Sequence, residues 1–432
     1  MLISDNAFLV AILTATVLCG AVAFGLCIRV SPRFAIGAWL ISTSFIPYWI
    51  GVDVAGFLPL PTLMGFLFLV SMLIHGPRIR GLVTIDYILL ALVGSCSVAV
   101  FVYDGNLAVW LAMLSHWGIA YLIARTAGFA AGLDWVGSLF AVTMSLVGAL
   151  AIVERIVGWH PFTKWTVDNL SFEIWAPLLE RAGETRSEWA FGHPIALGAT
   201  LALATPFAIA SRFNLVVRVA MLAVIGGGIL TTGSRGAILA FACSFALSAL
   251  LSSSAQSTTR TSRWGIVVVI PIVAATALAI YTQIDESGGA ETANSSGYRM
   301  SMYSLLGTLK PLGRAASYYV LHDGTVVYGR YTSIDNTFIW FGLTFGFIPL
   351  AILVLAAVLL MLRVGLIRAT VPEIAVAGNF PVILTVAPIT QYQIILWFVV
   401  GLGVASWLAR RDRSWSGSEG LDARVGAMAS KR

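Results

Sequence analysis

The chain has 432 residues, of which 59% are hydrophobic and only 11% are charged, and its mean hydropathy is +0.90. Soluble domains carry about 25% charged residues, so this composition excludes a water-soluble fold. The formal net charge of +6 comes almost entirely from arginine. This favours anionic head groups or phosphates as partners and argues against nucleic acid.

Apolar runs of about the length of a transmembrane helix follow one another along the chain. A bilayer core about 30 Å thick takes about 20 helical residues. The runs near this length are 7–28, 34–50, 58–75, 84–103, 107–124, 134–156, 194–211, 215–232, 236–252, 264–284, 336–361, 374–389 and 392–409. The first has neither a basic region before it nor a cleavage motif, so we expect a retained helix. We therefore predict one all-α polytopic membrane domain, residues 1–409, with about 12–13 transmembrane helices.

The arginines predict which connections face the cytoplasm. They cluster in alternate connections, at Arg29 and Arg33, Arg78 and Arg80, Arg125, Arg212, Arg260 and Arg263, Arg363 and Arg368, and Arg410, Arg411 and Arg413. By the positive-inside rule these connections are cytoplasmic, which places two long polar segments, 158–193 and 285–335, on the outside. The tail 410–432 is charged and has no apolar period, so we expect a disordered cytoplasmic end.

Each long outer segment contains a short amphipathic stretch. SFEIWAPLLE (171–180) places Trp175 and Leu179 four residues apart, and GYRMSMYSLLGTLK (297–310) places its apolar residues on one face. Both patterns predict a short helix on the outer membrane surface. Such a helix either anchors its loop or binds lipid, and the pattern does not decide between these roles.

Arg235 is an exception to the positive-inside pattern, because it lies in a short outer connection, GSRG (233–236). Residues 232–234 end one predicted helix, and Gly236 opens the next. The free N–H groups and positive dipole end of a helix N-terminus favour anions, so Arg235, with Ser234 beside it, predicts an anion site. The alternative is an arginine that only snorkels to the interface.

Three further side chains in the outer segments suit an anionic ligand. Arg186 and His193 lie in ERAGETRSEWAFGHP, just before the predicted helix 194–211, and Arg299 lies in SSGYRMSMY. Taken alone, each arginine is more often a solvated loop charge than a ligand-binding group. Together with Arg235 they offer the several charge-assisted donors that a pyrophosphate needs.

Asp335 opens a predicted helix in SIDNTFIWFG, next to Asn336. Aspartate and asparagine both cap helix N-termini, so either residue could serve as the cap. Asp335 could also act as a general base, and the two roles are compatible. The sequence leaves these alternatives open.

The chain carries none of the motifs of soluble hydrolases or nucleotide-binding proteins, such as G-x-S-x-G, a Walker loop or a dinucleotide fingerprint. No histidine pair has metal-ligand spacing, and the cysteines lie inside apolar runs, at Cys19, Cys27, Cys96 and Cys243. We therefore expect packing roles for the cysteines and neither a metal nor another cofactor.

Three elements in the second half of the chain resemble a known family. In order, these are TTGSRGAILAF (231–241), SSGYRMSMYSLLGTLKPLGRA (295–315) and IDNTFIWFGLTFGFI (334–348). They are similar to the signature region of the O-antigen ligase and O-antigen polymerase superfamily of bacterial inner-membrane glycosyltransferases. The upstream stretch ETRSEWAFGHPIALG (184–198) also looks like the family's segment before this region. The resemblance implies that Arg235 and Arg299 hold a lipid-linked pyrophosphate.

The chain differs from part of this family at Asp335, where the ligases that attach glycan to lipid A core have histidine. Aspartate at this position favours a polymerase or another polysaccharide-joining member. A carboxylate near a pair of arginines stays charged at neutral pH, and it can activate a sugar hydroxyl as imidazole does.

We therefore expect a metal-independent polysaccharide polymerase of the bacterial cytoplasmic membrane with an outward-facing site. It would transfer a glycan from a polyprenyl-pyrophosphate carrier to an acceptor sugar hydroxyl. Asp335 would act as base while Arg235 and Arg299 stabilise the leaving pyrophosphate, a layout that implies inversion at the anomeric carbon. The residues expected to bind substrate are Arg186, His193, Ser234 and Asn336.

Three other functions remain as alternatives. These are an O-antigen-type ligase that moves glycan to a lipid or protein, a transporter of lipid-linked oligosaccharide, and a non-catalytic assembly scaffold. A transporter needs polar groups accessible from both sides, whereas the candidate arginines lie on the predicted outer side. Membrane lipid is an expected partner in each case, and a chain-length regulator is left open as a further one.

Overall fold

The computed structural model describes residues 31–53, 56–75, 81–181, 183–255, 298, 301–322 and 325–429. Most of this part of the chain is helical, as the composition predicts. Two predicted spans, 7–28 and 264–284, lie outside the described residues.

Helices from both halves of the described chain pack against one another. The helices up to residue 157 are α1 (Pro32–Phe45), α2 (Leu60–His75), α3 (Thr84–Phe101), α4 (Leu107–Ala112), α5 (Ile119–Ala127) and α6 (Leu133–Val157), with π-helical segments Met113–Gly118 and Gly128–Gly132. The later helices are α7 (Leu170–Trp175), α8 (Pro194–Ala210), α9 (Leu215–Thr231), α10 (Arg235–Ala255), α11 (Thr337–Phe345), α12 (Phe347–Gly365), α13 (Val371–Gly378), α14 (Phe380–Ile383) and α15 (Thr390–Ala429). Short 3-10 helices are Phe162–Lys164, Trp189–Phe191 and Tyr303–Thr308.

Three antiparallel hairpins lie in the connections of the described chain. They are β1 (Gly51–Asp53) with β2 (Phe57–Pro59), β3 (Glu180–Arg181) with β4 (Glu184–Thr185), and β5 (Tyr318–Val320) with β6 (Val326–Tyr328). Glu180 pairs with Thr185 in the second hairpin, and Tyr318 pairs with Tyr328 in the third. The second and third hairpins belong to the two long polar segments.

Four helices of the described chain are long and apolar enough to cross a membrane. They are Thr84–Phe101, Leu107–Val157, Phe347–Gly365 and Thr390–Arg411. Shorter apolar helices are Leu60–Val70, Pro194–Ala210, Leu215–Thr231 and Arg235–Leu251. The structure is thus that of a mainly α-helical protein whose described part includes four helices of membrane-spanning length and composition, while the predicted total of 12–13 spans stays a prediction.

The helical run Leu107–Val157 replaces two predicted spans, 107–124 and 134–156. Its 51 residues would extend about 77 Å as a straight helix, more than twice the bilayer core. The run is not straight, because Gly132 has a φ of +91° and leaves the helical region between α5 and α6. The boundary between the two predicted helices therefore lies at this glycine.

The prediction of a single span over 336–361 is wrong. The structure divides this segment into α11 and α12 at Gly346, which has a φ of +99°. A Cβ on Gly346 would lie 2.7 Å from the carbonyl oxygen of Pro311, so both the backbone conformation and the space require glycine.

The prediction of a helix over 374–389 is also wrong, because helical structure stops at Ile383 and is interrupted at Asn379. The Asn379 side chain is fully buried, donates to the carbonyl of Ala199 at 3.0 Å and accepts from the Tyr392 hydroxyl at 2.9 Å. These two hydrogen bonds satisfy the buried polar side chain of Asn379 at the point where the helix is interrupted. Residues 384–389 then form an irregular connection to α15.

Both predicted surface helices are shorter than expected, and the second is partly covered. In the segment 158–193, helix α7 ends at Trp175, so Leu179 is outside it. In the second segment, 285–335, residues 303–308 form a 3-10 helix, and Met302 and Leu305 pack in a core with Ile339 and Leu343. The α11 helix therefore covers part of the apolar face of this second stretch, while Leu306 on the same stretch stays 40% exposed.

Helix α8 lies at the centre of the fold and packs against α6, α9, α10, α13 and α15. Most of its side chains are small and buried. A Cβ on Gly198 would lie 2.7 Å from the Cβ of Ala237, and a Cβ on Gly228 would lie 2.7 Å from the Cα of Gly148. Close packing by Gly228, the last residue of the triple glycine before residues 233–236, is confirmed.

The final helix α15 continues beyond its apolar part to Ala429. It includes most of the segment 410–432, for which the sequence predicts a disordered tail. Cys96 is buried in a core cluster, which confirms its packing role, while Cys243 is exposed on α10.

Candidate functional site

The turn between α9 and α10 presents Arg235 as the first residue of a helix. Gly233 has a φ of +58°, and the Ser234 hydroxyl oxygen accepts a hydrogen bond from the Ala237 N–H at 3.3 Å. Ser234 is buried and serves as the helix cap. Arg235 is half-buried at the positive end of the α10 dipole, as the sequence predicts.

The β3–β4 hairpin brings Arg186 to the same turn. The Arg186 Nε donates a hydrogen bond to the carbonyl oxygen of Thr232 at 2.6 Å, and the Arg181 guanidinium donates one to the carbonyl oxygen of Gly233 at 3.1 Å. These guanidinium groups lie at the C-terminal end of α9, where the helix dipole favours cations. Arg186 and Arg235 are therefore assembled around one three-residue turn, although 49 positions separate them in the sequence.

His193 caps the neighbouring helix α8. Its Nδ1 accepts a hydrogen bond from the Ile195 N–H at 3.2 Å, so the ring proton of the neutral tautomer is on Nε2. Burial, and secondarily the charge of Arg186, lower the pKa of His193 to about 4. At neutral pH the imidazole is uncharged and offers a ligand a hydrogen-bond donor instead of a second charge.

Asn336, and not Asp335, caps α11. The Asn336 Oδ1 accepts from the N–H groups of Phe338 at 2.9 Å and Ile339 at 3.0 Å, and its Nδ2 donates to the carbonyl of Leu384 at 2.7 Å. The side chain is only 4% exposed, so its role in this structure is to fix the helix end. The alternative in which Asp335 is the cap is wrong.

Asp335 is half-buried, and its side chain accepts a hydrogen bond from a residue of the same loop. The Ser333 hydroxyl donates to Asp335 Oδ1 at 3.0 Å, and the Tyr298 hydroxyl donates to the Ser333 carbonyl at 2.8 Å. Burial, followed by the charge of Asp335, raises the pKa of Tyr298. Sequence reasoning missed Tyr298, although it stands directly before Arg299 in the family-like stretch. Arg299 itself lies outside the described residues, so its predicted role is not tested.

Residues 382–386 contact the N-terminal ends of both α10 and α11. On one side, a Cβ on Gly236 would lie 3.3 Å from Thr385 Oγ1. On the other side, the Asn336 amide binds the Leu384 carbonyl, and the Thr337 hydroxyl donates to the Val386 carbonyl at 2.7 Å. The arginine end and the carboxylate end of the predicted site are thus anchored on the same short connection.

A large apolar cavity begins beside this carboxylate end. It has a volume of about 500 Å³, and it lies between α3, α12, α13 and α15. Thr337 and Phe338 line it at the start of α11, and Arg363 and Glu373 line it near the other helix ends. Its walls between them are almost all aliphatic or aromatic, which suits a hydrocarbon chain.

Two carboxyl groups that sequence reasoning left aside lie near each other, and one of them, Glu188, interacts electrostatically with Arg186. Glu154 is at the end of α6, and Glu188 follows Arg186 by two residues; both side chains are buried. No sequence motif marks them, because they look like a helix-end charge and a loop charge. Within the described chain, no group of three His, Cys, Asp or Glu side chains is placed to hold a metal ion.

Replacing Asn336 by alanine is expected to lower the free energy of unfolding by about 1–3 kcal/mol, because it removes a helix cap and a buried bond to residue 384. Thermal unfolding of the purified protein in detergent measures this loss. Ser333→Ala, at an exposed position on the same loop, is the control and should leave the midpoint nearly unchanged. A silent Asn336→Ala together with a destabilised Asp335→Asn would assign the cap to Asp335.

Comparison of the chain with models of known families, with curated protein sequences and with solved structures finds no match.

Proposed function

We propose that this protein is a membrane glycosyltransferase that moves a glycan from a polyprenyl-pyrophosphate carrier to a sugar hydroxyl at the outer face of the bacterial cytoplasmic membrane. The observation that carries the proposal is the site around residues 382–386. It has arginines on one side, a carboxylate that is not a helix cap on the other, and an apolar cavity beside the carboxylate. The family resemblance of the same segments supports the reaction class.

The reaction would be a single displacement at the anomeric carbon. The acceptor oxygen forms a bond to that carbon while the bond to the pyrophosphate oxygen breaks, and the proton of the hydroxyl passes to Asp335. Arg235, with Arg186 behind the same turn, would take up the charge that develops on the leaving pyrophosphate, and the α10 dipole adds to this effect. Attack opposite to the leaving group inverts the anomeric carbon.

The cavity of about 500 Å³ would receive part of the carrier's isoprenoid chain. Thr337 in its lining is one residue from the Asn336 cap and two from Asp335, so a carrier whose chain enters at this end would have its head group beside the carboxylate. Binding of such a chain is favourable, because it removes apolar surface of the cavity lining from water or from loosely packed lipid.

A polymerase is favoured over a ligase because Asp335 replaces the histidine of the ligases. A transporter is the second candidate, and one observation favours it. Helices α13 and α14 are broken around the buried Asn379, and transporters build substrate sites at broken helices. The Asn379 side chain is, however, already paired with Ala199 and Tyr392, so it offers few groups to a substrate.

Purified protein in lipid nanodiscs, supplied with a lipid-linked oligosaccharide, distinguishes these functions. A ladder of lengthened lipid-linked glycan would support a polymerase. Glycan on a different lipid or protein would show a ligase, and in proteoliposomes movement of intact donor without bond cleavage would show a transporter. Either of the last two results would overturn the proposal in its polymerase form.

Filling the cavity is expected to weaken use of the long-chain donor. Ala357 lines the cavity on α12, so Ala357→Trp should raise the KM of a long polyprenyl donor about tenfold and that of a short-chain analogue much less. Val358→Trp is the matched control, because Val358 is 47% exposed on the same helix. Equal effects of the two variants, or of one variant on both donors, would remove the isoprenoid chain from this cavity.

A further inference from the structure

A smaller cavity of the described chain lies at the end of α8 opposite the candidate site. It has a volume of about 180 Å³ and lies between α6, α8, α13 and α15. His193 caps the other end of α8, and the 17 residues of this helix extend about 25 Å. The cavity is therefore separate from the arginines and the carboxylate of the proposed glycosyltransferase site.

Three ionisable side chains line this cavity, and their formal charges add to one positive charge. They are Asp134, Arg212 and Arg410. Arg212 forms an ion pair with Asp134, and both of these side chains are exposed. A guanidinium has five N–H donors, so pairing with one carboxylate leaves further donors on Arg212. The net positive charge of the lining is therefore that of Arg410.

Arg410 is held at the cavity by neutral groups. Its Nη1 donates to the carbonyl oxygens of Arg368 and Ala369, at 3.4 Å and 3.3 Å. Within the described part of the chain its partners are these carbonyl groups and not carboxylates, so the two hydrogen bonds restrain the guanidinium without cancelling its charge. An anion that entered the cavity would therefore meet a positive charge that is already in place.

The uncharged part of the lining suits a phosphate that is joined to a hydrocarbon chain. Ser138 and Ser406 line the cavity, and their hydroxyl groups can donate to anionic oxygens. Leu133, Phe207 and Leu402 supply apolar walls beside them. The cavity is much larger than the space that one water molecule needs, so it can admit a phosphate group.

The cavity lies where apolar helices end. Arg410 is near the end of the apolar helix Thr390–Arg411, and Ser211 directly follows the apolar helix Pro194–Ala210. Polar residues at the ends of such helices are expected at the level of the lipid head groups. The arginines at this end belong to connections that the positive-inside rule predicts to be cytoplasmic. Basic pockets between helices on that side of a membrane bind the head groups of anionic lipids.

We propose that this cavity binds the head group of a phospholipid with one negative charge, such as phosphatidylglycerol. Arg410 and the remaining donors of Arg212 hold the phosphate, and the two serine hydroxyl groups donate to its oxygens. The single positive charge of the lining matches one negative charge, and the apolar walls favour a lipid over free phosphate, which would use the same donors. The site needs neither a glycosyl donor nor an acceptor, so this inference does not depend on the proposed function.

Native mass spectrometry of the purified protein in detergent measures the binding of single phosphatidylglycerol molecules. Arg410→Gln removes the charge that no described carboxylate pairs, so it should weaken the tightest binding about tenfold. Arg218→Gln is the matched control, because Arg218 binds the Ile209 carbonyl at the same end of α8 but does not line the cavity. It should change the affinity less than about twofold. Equal weakening in both variants, or none in either, would overturn the proposal.

Filling the cavity distinguishes a head group inside it from lipid that is attracted only to exposed charge. Ser406→Phe adds a ring to the lining without a change of charge, so it should also weaken phosphatidylglycerol binding about tenfold. Val216→Phe, at a 77% exposed position on α9, is the control and should bind as wild type does. Ser138→Phe, on α6, repeats the test if Ser406→Phe does not fold. Weaker binding in Arg410→Gln with unchanged binding in the filled variant would overturn the cavity as the site.

The unfolding midpoint in detergent identifies the chemistry of the ligand. Added phosphatidylglycerol should raise the wild-type midpoint, because a ligand that binds only the folded protein stabilises it. Phosphatidylcholine, whose head group has no net charge, and inorganic phosphate should each raise it much less. A rise with inorganic phosphate as large as that with phosphatidylglycerol would show an anion site without lipid recognition, and equal rises with the two lipids would remove the role of charge. Either result would overturn the proposal and leave the glycosyltransferase proposal untouched, since no measurement here involves glycan transfer.

Discussion

Arg235→Ala is expected to lower kcat/KM for glycan transfer by about 10²–10³-fold, which is the usual loss when one donor to a developing negative charge is removed. Arg235 is the first residue of α10 and lies one turn from the Thr232 carbonyl that Arg186 binds. Its guanidinium and the helix dipole would act on the same leaving group. The measurement is the initial rate with labelled donor at matched amounts of folded protein.

Arg235→Lys should recover no more than about a tenth of the wild-type rate, because an ammonium group cannot form the paired hydrogen bonds of a guanidinium. Arg218→Ala is the matched control. It removes a half-buried arginine near the opposite end of α9, where the side chain binds the Ile209 carbonyl, and it should leave the rate nearly unchanged. Full activity of Arg235→Lys would show that net charge alone matters at this position.

Asp335→Asn is expected to lower the rate by about 10²-fold or more, because asparagine keeps the shape of aspartate but cannot accept the hydroxyl proton. Since Asn336 caps α11, this substitution should change the unfolding midpoint little. A rate loss without a stability loss therefore separates a catalytic role from a structural one. Initial rates and thermal unfolding of the same preparations provide both quantities.

Asp335→His adds a signature in the pH dependence. If residue 335 is the base, histidine should restore activity with a rate that rises near pH 6.5, the unperturbed histidine pKa. The wild-type rate should show no such rise in this range. A wild-type rate in Asp335→Asn would remove the base role from Asp335 and leave the acceptor hydroxyl without an identified base.

The elements that local sequence signals define could be predicted. The α9–α10 turn lies at the glycine and serine of GSRG, and α11 starts at the Asp-Asn pair, within a residue of the expected positions. In both places residues next to the boundary determine it, because the positive φ of the turn requires Gly233 and the helix start requires the capping side chain of Asn336.

The features that depend on distant partners could not be predicted. The break at Asn379 requires the Ala199 carbonyl, 180 residues away, and nothing near Asn379 marks that carbonyl. Likewise, Glu154 and Glu188 are 34 residues apart, and hydrophobic periodicity does not show that these two carboxyl groups lie near each other. Asparagine and glutamate are common in loops and at helix ends, so residue type alone was uninformative.

The most direct test of the glycosyltransferase proposal is to measure both products of one reaction mixture. Purified protein in nanodiscs, with lipid-linked oligosaccharide and a chelator of divalent cations, should release one polyprenyl pyrophosphate for each glycosidic bond formed. The new linkage should have the anomeric configuration opposite to that of the donor. Folded protein that releases no pyrophosphate, or that forms no new glycosidic bond while moving intact donor, would contradict the proposal.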